Sequence, residues 1–155
     1  MAVRVQTEDF DLGAELAALR AGRRDLGALV SFTGLVRDAP DGSTVSCLEL
    51  EHYPAMTERA LSAIEAEACA RWPLQGSLII HRVGRLEPGA QIMMVATASA
   101  HRQAAFEGAE FLMDYLKSRA PFWKKEHGAA GQAQWVDARD SDEQALARWQ
   151  GAASV

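Results

Sequence analysis

LGALVSFTGLVRDAPDGSTVSCLELEHYP, Leu26 to Pro54, decides how the rest of the chain is read. Two runs rich in β-formers, Leu26–Val36 and Val45–Tyr53, flank the polar, Pro- and Gly-bearing stretch DAPDGS at 38–43, which reads as a turn. In the second run Leu48 and Leu50 alternate with Glu49 and Glu51, the pattern of a strand with one face buried. Two strands joined by a short turn predict an antiparallel hairpin. A hairpin at this point, where a doubly wound domain would carry a helical crossover, argues for an α+β domain with a mostly antiparallel sheet.

Working outward, Val3–Gln6 predicts a short strand, and Asp11 caps a helix running to about Ala21 with Leu12, Leu16 and Leu19 at helical spacing. On the other side Pro54 suits a first helical turn, and Met56, Ala60, Ile64 and Ala68 form an apolar stripe that ends near Trp72-Pro73. Strands are expected at Ser77–Val83 and Gln91–Ser99 around RLEPGA. A helix follows over Arg102–Arg119, with the stripe Phe106, Ala109, Met113 and Leu116, capped by Ser99 and stopped by Pro121. Short strands at Phe122–Glu126 and Gln134–Val136 flank HGAAGQ, and Ser141 with Gln144 reads as a capping box opening a last helix. The expected order is β-α-β-β-α-β-β-α-β-β-α, in one domain over residues 1–150 with a flexible tail at 151–155.

Length and composition narrow the function classes. A chain of 155 residues is enough for one sizeable core, and 48% hydrophobic with 24% charged residues is ordinary for a globular protein. The N-terminus carries no basic region followed by an apolar run, and no segment approaches the roughly 20 apolar residues of a membrane span, which predicts a cytoplasmic protein. Cys47 and Cys69 lack CxxC spacing and read as buried thiols, while His52, His81, His101 and His127 show no zinc-ligand pattern. A formal charge of −5 argues against general nucleic-acid binding.

Against that charge, MDYLKSRAPFWKKEH at 113–127 gathers Lys117, Arg119, Lys124 and Lys125 around Pro-Phe-Trp. Lys117 lies on the helical stripe of Met113 and Phe106, so its stem leaves the apolar face with the amine at a pocket rim. Lys124 and Lys125 are strand neighbours pointing to opposite faces, so at most one shares that pocket. Two crowded, desolvated ammonium groups would each raise the cost of charging the other, which lowers a lysine pKa toward a usable nucleophile or proton carrier. His101 and Arg102 fall in the first turn of the third helix, where an anion would be welcomed by free amides and dipole, and Arg37 ends the strand LVSFTGLVR beside Gly34. The bland readings of these residues are a solvated Arg, a snorkelling Lys and a solvated KK face.

Taken together and in order, FTGLVRD at 32–38, HRVGRLEPG at 81–89, SAHRQAAF at 99–106, MDYLKSRAPFWKKE at 113–126 and WVDAR at 135–139 resemble the catalytic large subunit of molybdopterin synthase. The resemblance implies an α/β-hammerhead fold and a homodimer of large subunits. A small ubiquitin-like subunit at each end makes a heterotetramer. It implies no prosthetic group: sulfur arrives on the small subunit's C-terminal Gly-Gly thiocarboxylate. That sulfur passes twice to cyclic pyranopterin monophosphate, opening the cyclic phosphate and leaving the molybdopterin dithiolene. Carried over by position, Lys117 is the essential lysine, as proton donor and acceptor or transient acyl acceptor, and Lys124 the second pocket lysine, followed by Lys125 and Glu126. Arg37, His101 and Arg102 would hold phosphate and pterin, with backbone contacts from Leu35 and Val36; Phe32, Met113 and Arg139 match further pocket positions. Part of each pocket would come from the second protomer. The chain departs from the family pattern at Ala90, where an acidic residue is usual.

Two other readings use the same residues. A binding scaffold for a ubiquitin-like partner would not need the cation set, and a lyase working through a Lys117 Schiff base would leave an adduct reducible by borohydride. Weak binding of single-stranded RNA through Phe122, Trp123 and the lysines runs against the net charge.

Overall fold

Asp11 accepts a hydrogen bond from the Ala14 amide at 2.9 Å and so opens α1 (Leu12–Arg20), as expected of an N-cap. The computed structural model describes residues 1–38, 45–128, 133–136 and 140–151. Along the chain come β1 (Ala2–Gln6), α1, β2 (Ala28–Leu35), β3 (Val45–His52), α2 (Pro54–Arg71), β4 (Leu74–Arg82), β5 (Gly84–Leu86) and β6 (Gln91–Ser99). After them come α3 (Arg102–Arg119), β7 (Phe122–Gly128), β8 (Ala133–Val136) and α4 (Asp140–Gly151). Both Pro54, at the first position of α2, and Pro121, just past the end of α3, stand where the missing N–H costs least.

The architecture is α+β, built on two four-stranded sheets: β1-β4-β6-β2 and β5-β3-β7-β8. All strand pairs are antiparallel except β1 with β4. The hairpin expected between Leu26–Val36 and Val45–Tyr53 does not form. β2 pairs with β6 in the first sheet, and β3 with β5 and β7 in the second. The two runs have the strand composition of a hairpin, but β2 finds the longer and more deeply buried β6 as its partner, β3 is paired by β5 and β7, and turn residues alone cannot choose between partners.

β4 and β6 are buried along nearly their whole length because both of their faces are covered. Leu78 and Ile80 of β4 and Met94 and Ala96 of β6 face Phe10 and the leucines of α1. Ile79 of β4 and Met93 and Val95 of β6 face the other way, into a core with Leu61 and Ile64 of α2 and Phe111 and Leu112 of α3. The second sheet closes its own small core through Val36, Leu48, Leu50 and Leu86, and the alternation with Glu49 and Glu51 holds.

Several local expectations are corrected. Met56 and Phe106 are 59% and 60% exposed; the inward stripe of α2 runs through Thr57, Leu61 and Ile64, and that of α3 through Ala105, Leu112 and Leu116. The apolar stripe of each helix is wide enough that either choice fits the period. Ser99 does not cap α3: it is buried in β6 and donates to the Pro73 carbonyl at 2.9 Å, while His101 holds the cap position with no side-chain cap bond. Ser141 sits inside α4, which begins at Asp140. RLEPGA contains the short strand β5, followed by a turn in which Pro88 and Gly89 (φ +88°) are central and the Ala90 amide donates to the Glu87 carbonyl at 3.0 Å. Cys47 is buried, Cys69 only partly, and both are free thiols. The tail expected after Gly151 lies outside the described residues.

Candidate active site

A cleft of about 100 Å³ opens where the C-terminal half of α3 passes over the edge of the first sheet and meets β7. α3 contributes one face at helical spacing, Met113, Leu116, Lys117 and Ala120. β7 contributes Phe122 and Lys124, two residues apart and therefore on one face of the strand, while Trp123 and Lys125 turn away. Trp123 packs edge-on against Tyr53, with ring centroids 4.9 Å apart.

β2 supplies Phe32, Gly34 and Leu35. Adjacent strand residues ordinarily point to opposite faces, but pairing with β6 slips between Gly34 (opposite Met93) and Leu35 (opposite Gln91). This irregularity re-aims Leu35, leaving its side chain 57% exposed on the cleft rim. A Cβ on Gly34 would meet Met93 and the Phe32 ring at 3.5–3.8 Å, so the glycine keeps the cleft open by about one methyl group.

Phe32, Leu35, Met113, Lys117 and Lys124 are thus brought together within one chain. Lys117 is exposed at the rim, so the crowding that would desolvate its amine is not supplied by the chain alone. Arg37 is exposed beyond Leu35 and does not line the cleft. The Val36 amide donates to the Ala90 carbonyl at 2.9 Å and its own carbonyl accepts from the Gly89 amide at 2.8 Å, so the β2 end is tied to the β5–β6 turn. Lys125 and Glu126 continue β7 past the cleft, opposite Glu49 and Leu48 of β3. Arg139 lies outside the described residues.

His101 and Arg102 stand apart. They begin the helix on which Lys117 is near the end, and fifteen residues at about 1.5 Å each separate Arg102 from Lys117 by about 22 Å. Both are exposed at the opposite end of α3.

The residue that sequence reasoning missed is His81. It is the next-to-last residue of β4, on the same face as Ile79, and lines the cleft while being only 6% exposed. Its ring lies on Phe122, centroids 3.8 Å apart and planes 15° from parallel, and His52 stacks more loosely on the same ring at 6.2 Å. Burial lowers the His81 pKa to about 4. The Arg82 carbonyl opposes this, and the positive charges of Lys124 and Lys117, with His52, add to it. The signal in the sequence was parity: a histidine two positions after Ile79 in a strand buried on both faces.

Among the described residues no three His, Cys, Asp or Glu side chains converge as a metal site would require. What the cleft offers is positive charge on two flexible stems over an apolar floor, which suits an anion carried on a flat or apolar body.

Residues 5–119 match the MoaE protein family. The chain belongs to that family. It is 64% identical over 147 residues to the molybdopterin synthase catalytic subunit of Ralstonia nicotianae, covering 95% of this chain and 83% of that protein. Among solved structures it is similar to the molybdopterin biosynthesis MoaE protein of Burkholderia ambifaria, with a TM-score of 0.80 and 57% identity over 96% of this chain and 97% of the other. The fold alone is shared with a protein–protein complex of subunits 1 and 2 of the molybdopterin-converting factor of Helicobacter pylori. There the TM-score is 0.73 at 19% identity, covering 88% and 91% of the two chains.

Proposed function

We propose that this chain is the catalytic subunit of a molybdopterin synthase, a sulfurtransferase of molybdenum cofactor biosynthesis. The observation that carries the site is the meeting of Lys117 and Lys124, on different elements, in one cleft with an apolar floor. The substrate is cyclic pyranopterin monophosphate, whose phosphate the ammonium groups attract and whose ring system the apolar floor accepts. Sulfur comes from the C-terminal thiocarboxylate of a small ubiquitin-like subunit, so the chain itself needs no prosthetic group. A tail entering beside Leu35 and Phe32 covers the exposed Lys117 amine and removes water from it, which lowers the cost of its acting as proton carrier or transient acyl acceptor. Lys124 assists at the substrate.

Two large subunits pair as a homodimer within a heterotetramer, and the second protomer brings its His101 and Arg102 to the phosphate. The length of α3 supports this arrangement, because those residues cannot reach Lys117 of their own chain. Lys117→Ala, assayed with thiocarboxylated small subunit and cyclic pyranopterin monophosphate, is expected to lose turnover by at least about a hundredfold while the subunits still co-elute. Normal turnover in that variant would overturn the role given to Lys117.

A further inference from the structure

We infer that Gly34 is a specificity-determining residue of this cleft, the bare Cα over which the extended tail of the small subunit passes on its way to Lys117. That the occupant is this tail rests on the function proposed above. That Gly34 leaves room for a chain from outside rests on the geometry alone.

A glycine inside a strand weakens it, because it loses the most backbone entropy on folding and packs nothing. Other glycines of this fold have reasons within their own chain. Gly84 and Gly89 hold φ of +90° and +88°, which side chains resist. A Cβ on Gly27 would strike the Ala100 carbonyl oxygen, and one on Gly76 of β4 would press on Leu19 at 3.2 Å. Gly34 has neither reason. Its φ is not positive, so the slip in pairing between Gly34 and Leu35 does not demand a glycine as a left-handed bulge would. A Cβ there would meet Met93 Sδ at 3.5 Å and Phe32 Cε1 at 3.8 Å, which is ordinary van der Waals contact. The fold accepts alanine at this position, so what the glycine preserves is space beyond the chain's own packing.

That space is a notch. Phe32, two residues earlier on the same face of β2, is 45% exposed, and Leu35, re-aimed by the slip, stands on the rim. A bare Cα between two projecting apolar side chains lets another main chain come close. A flat ring system would lie on the broad face of Phe32 and gain nothing from the missing methyl group. An extended peptide with little side chain gains contact along its backbone. The notch belongs to the same cleft as Lys117 and Lys124, whose positive charges suit the anionic end of such a chain.

The test is calorimetric binding of the small subunit, full-length or lacking its C-terminal tail, to the wild-type chain, Gly34→Ala and Gly34→Val. One added methyl group in a fitted apolar contact should weaken full-length binding about tenfold, and the bulkier valine should weaken it about a hundredfold. The tail-less subunit should bind all three chains equally. The melting temperature of Gly34→Ala alone should be unchanged or higher. In the assembled enzyme Gly34→Ala should raise KM for the thiocarboxylated small subunit about tenfold and leave KM for cyclic pyranopterin monophosphate unchanged. Equal affinity of the three chains for the full-length subunit overturns the inference, as does an equal loss with the tail-less subunit. A rise in KM for the pterin alone gives the notch to the substrate, and a clearly lower melting temperature gives the glycine to the fold; either also overturns it. A wild-type chain that binds no small subunit sinks the proposed function itself, whereas wild-type binding with unaffected variants sinks only the role of Gly34.

Discussion

A single buried imidazole couples stability to pH in this protein. His81 is neutral in the fold down to about pH 4, while in the unfolded chain it takes a proton near pH 6.5. The unfolded state therefore binds more protons between those values, so the contribution is complete above pH 6.5 and is lost as pH falls toward 4. Its size is about 3 kcal/mol. Denaturant titrations at pH 7 and pH 4.5 should show a fall that is smaller in His81→Gln; equal falls would contradict the assignment. Two glycines make a contrasting pair. A Cβ on Gly27 would lie 2.1 Å from the Ala100 carbonyl oxygen, and backbone cannot step aside, so Gly27→Ala should cost about 3 kcal/mol. On Gly108 the nearest atoms to the Cβ would be the Leu74 methyl groups at 3.1 Å. A side chain can shift, and the gain of about 1 kcal/mol in helix propensity offsets the crowding, so Gly108→Ala should be near neutral in the same assay. That Lys117 shares a pocket with at most one of Lys124 and Lys125 was legible from the residues, and the family resemblance pointed to Lys124. The role of His81 was not, because one histidine in a hydrophobic strand says nothing about what covers it.

Helices were the elements best read from the sequence, since α3 spans Arg102–Arg119 as the Pro121 stop and apolar period require. The inward face of each helix was less legible, because a wide stripe tolerates a rotation that exposes Phe106 and buries Phe111. α4 is held to α3 by the Trp149 ring, beside the fully buried Leu146, and by polar contacts. Trp149 Nε1 donates to the Asp114 carboxylate, and Arg148 reaches both Asp114 at 3.0 Å and Glu110 at 2.6 Å. Arg148 is half exposed and its pairs count for little. Trp149 is partly buried against Phe111 and Trp72, so an unpaired indole N–H is costly there. Asp114→Ala should destabilise the protein by about 2 kcal/mol and raise hydrogen exchange in α4 before other elements; unchanged exchange would place the anchor of α4 elsewhere.

At the scale of the whole molecule, the separation of about 22 Å between Arg102 and Lys117 on one rigid helix makes a strong demand on assembly. If both serve one substrate, they come from different protomers. Mixing Lys117→Ala chains with Arg102→Ala chains should then restore activity, because each mixed dimer carries one intact site. Random pairing gives about a quarter of the wild-type level. No recovery would mean that the two residues do not share a site across the dimer. The sequence by itself determined element types, most boundaries, the α+β class and the cation-rich segment, because period, caps and breakers act within a few residues. Tertiary structure alone decided that the strands at 28–35 and 45–52 join different sheets, that Gly34 and Leu35 line one cleft, and that His81 sits beneath the lysines. These outcomes depend on which distant surface buries each face most completely, and that competition is settled by the whole core at once.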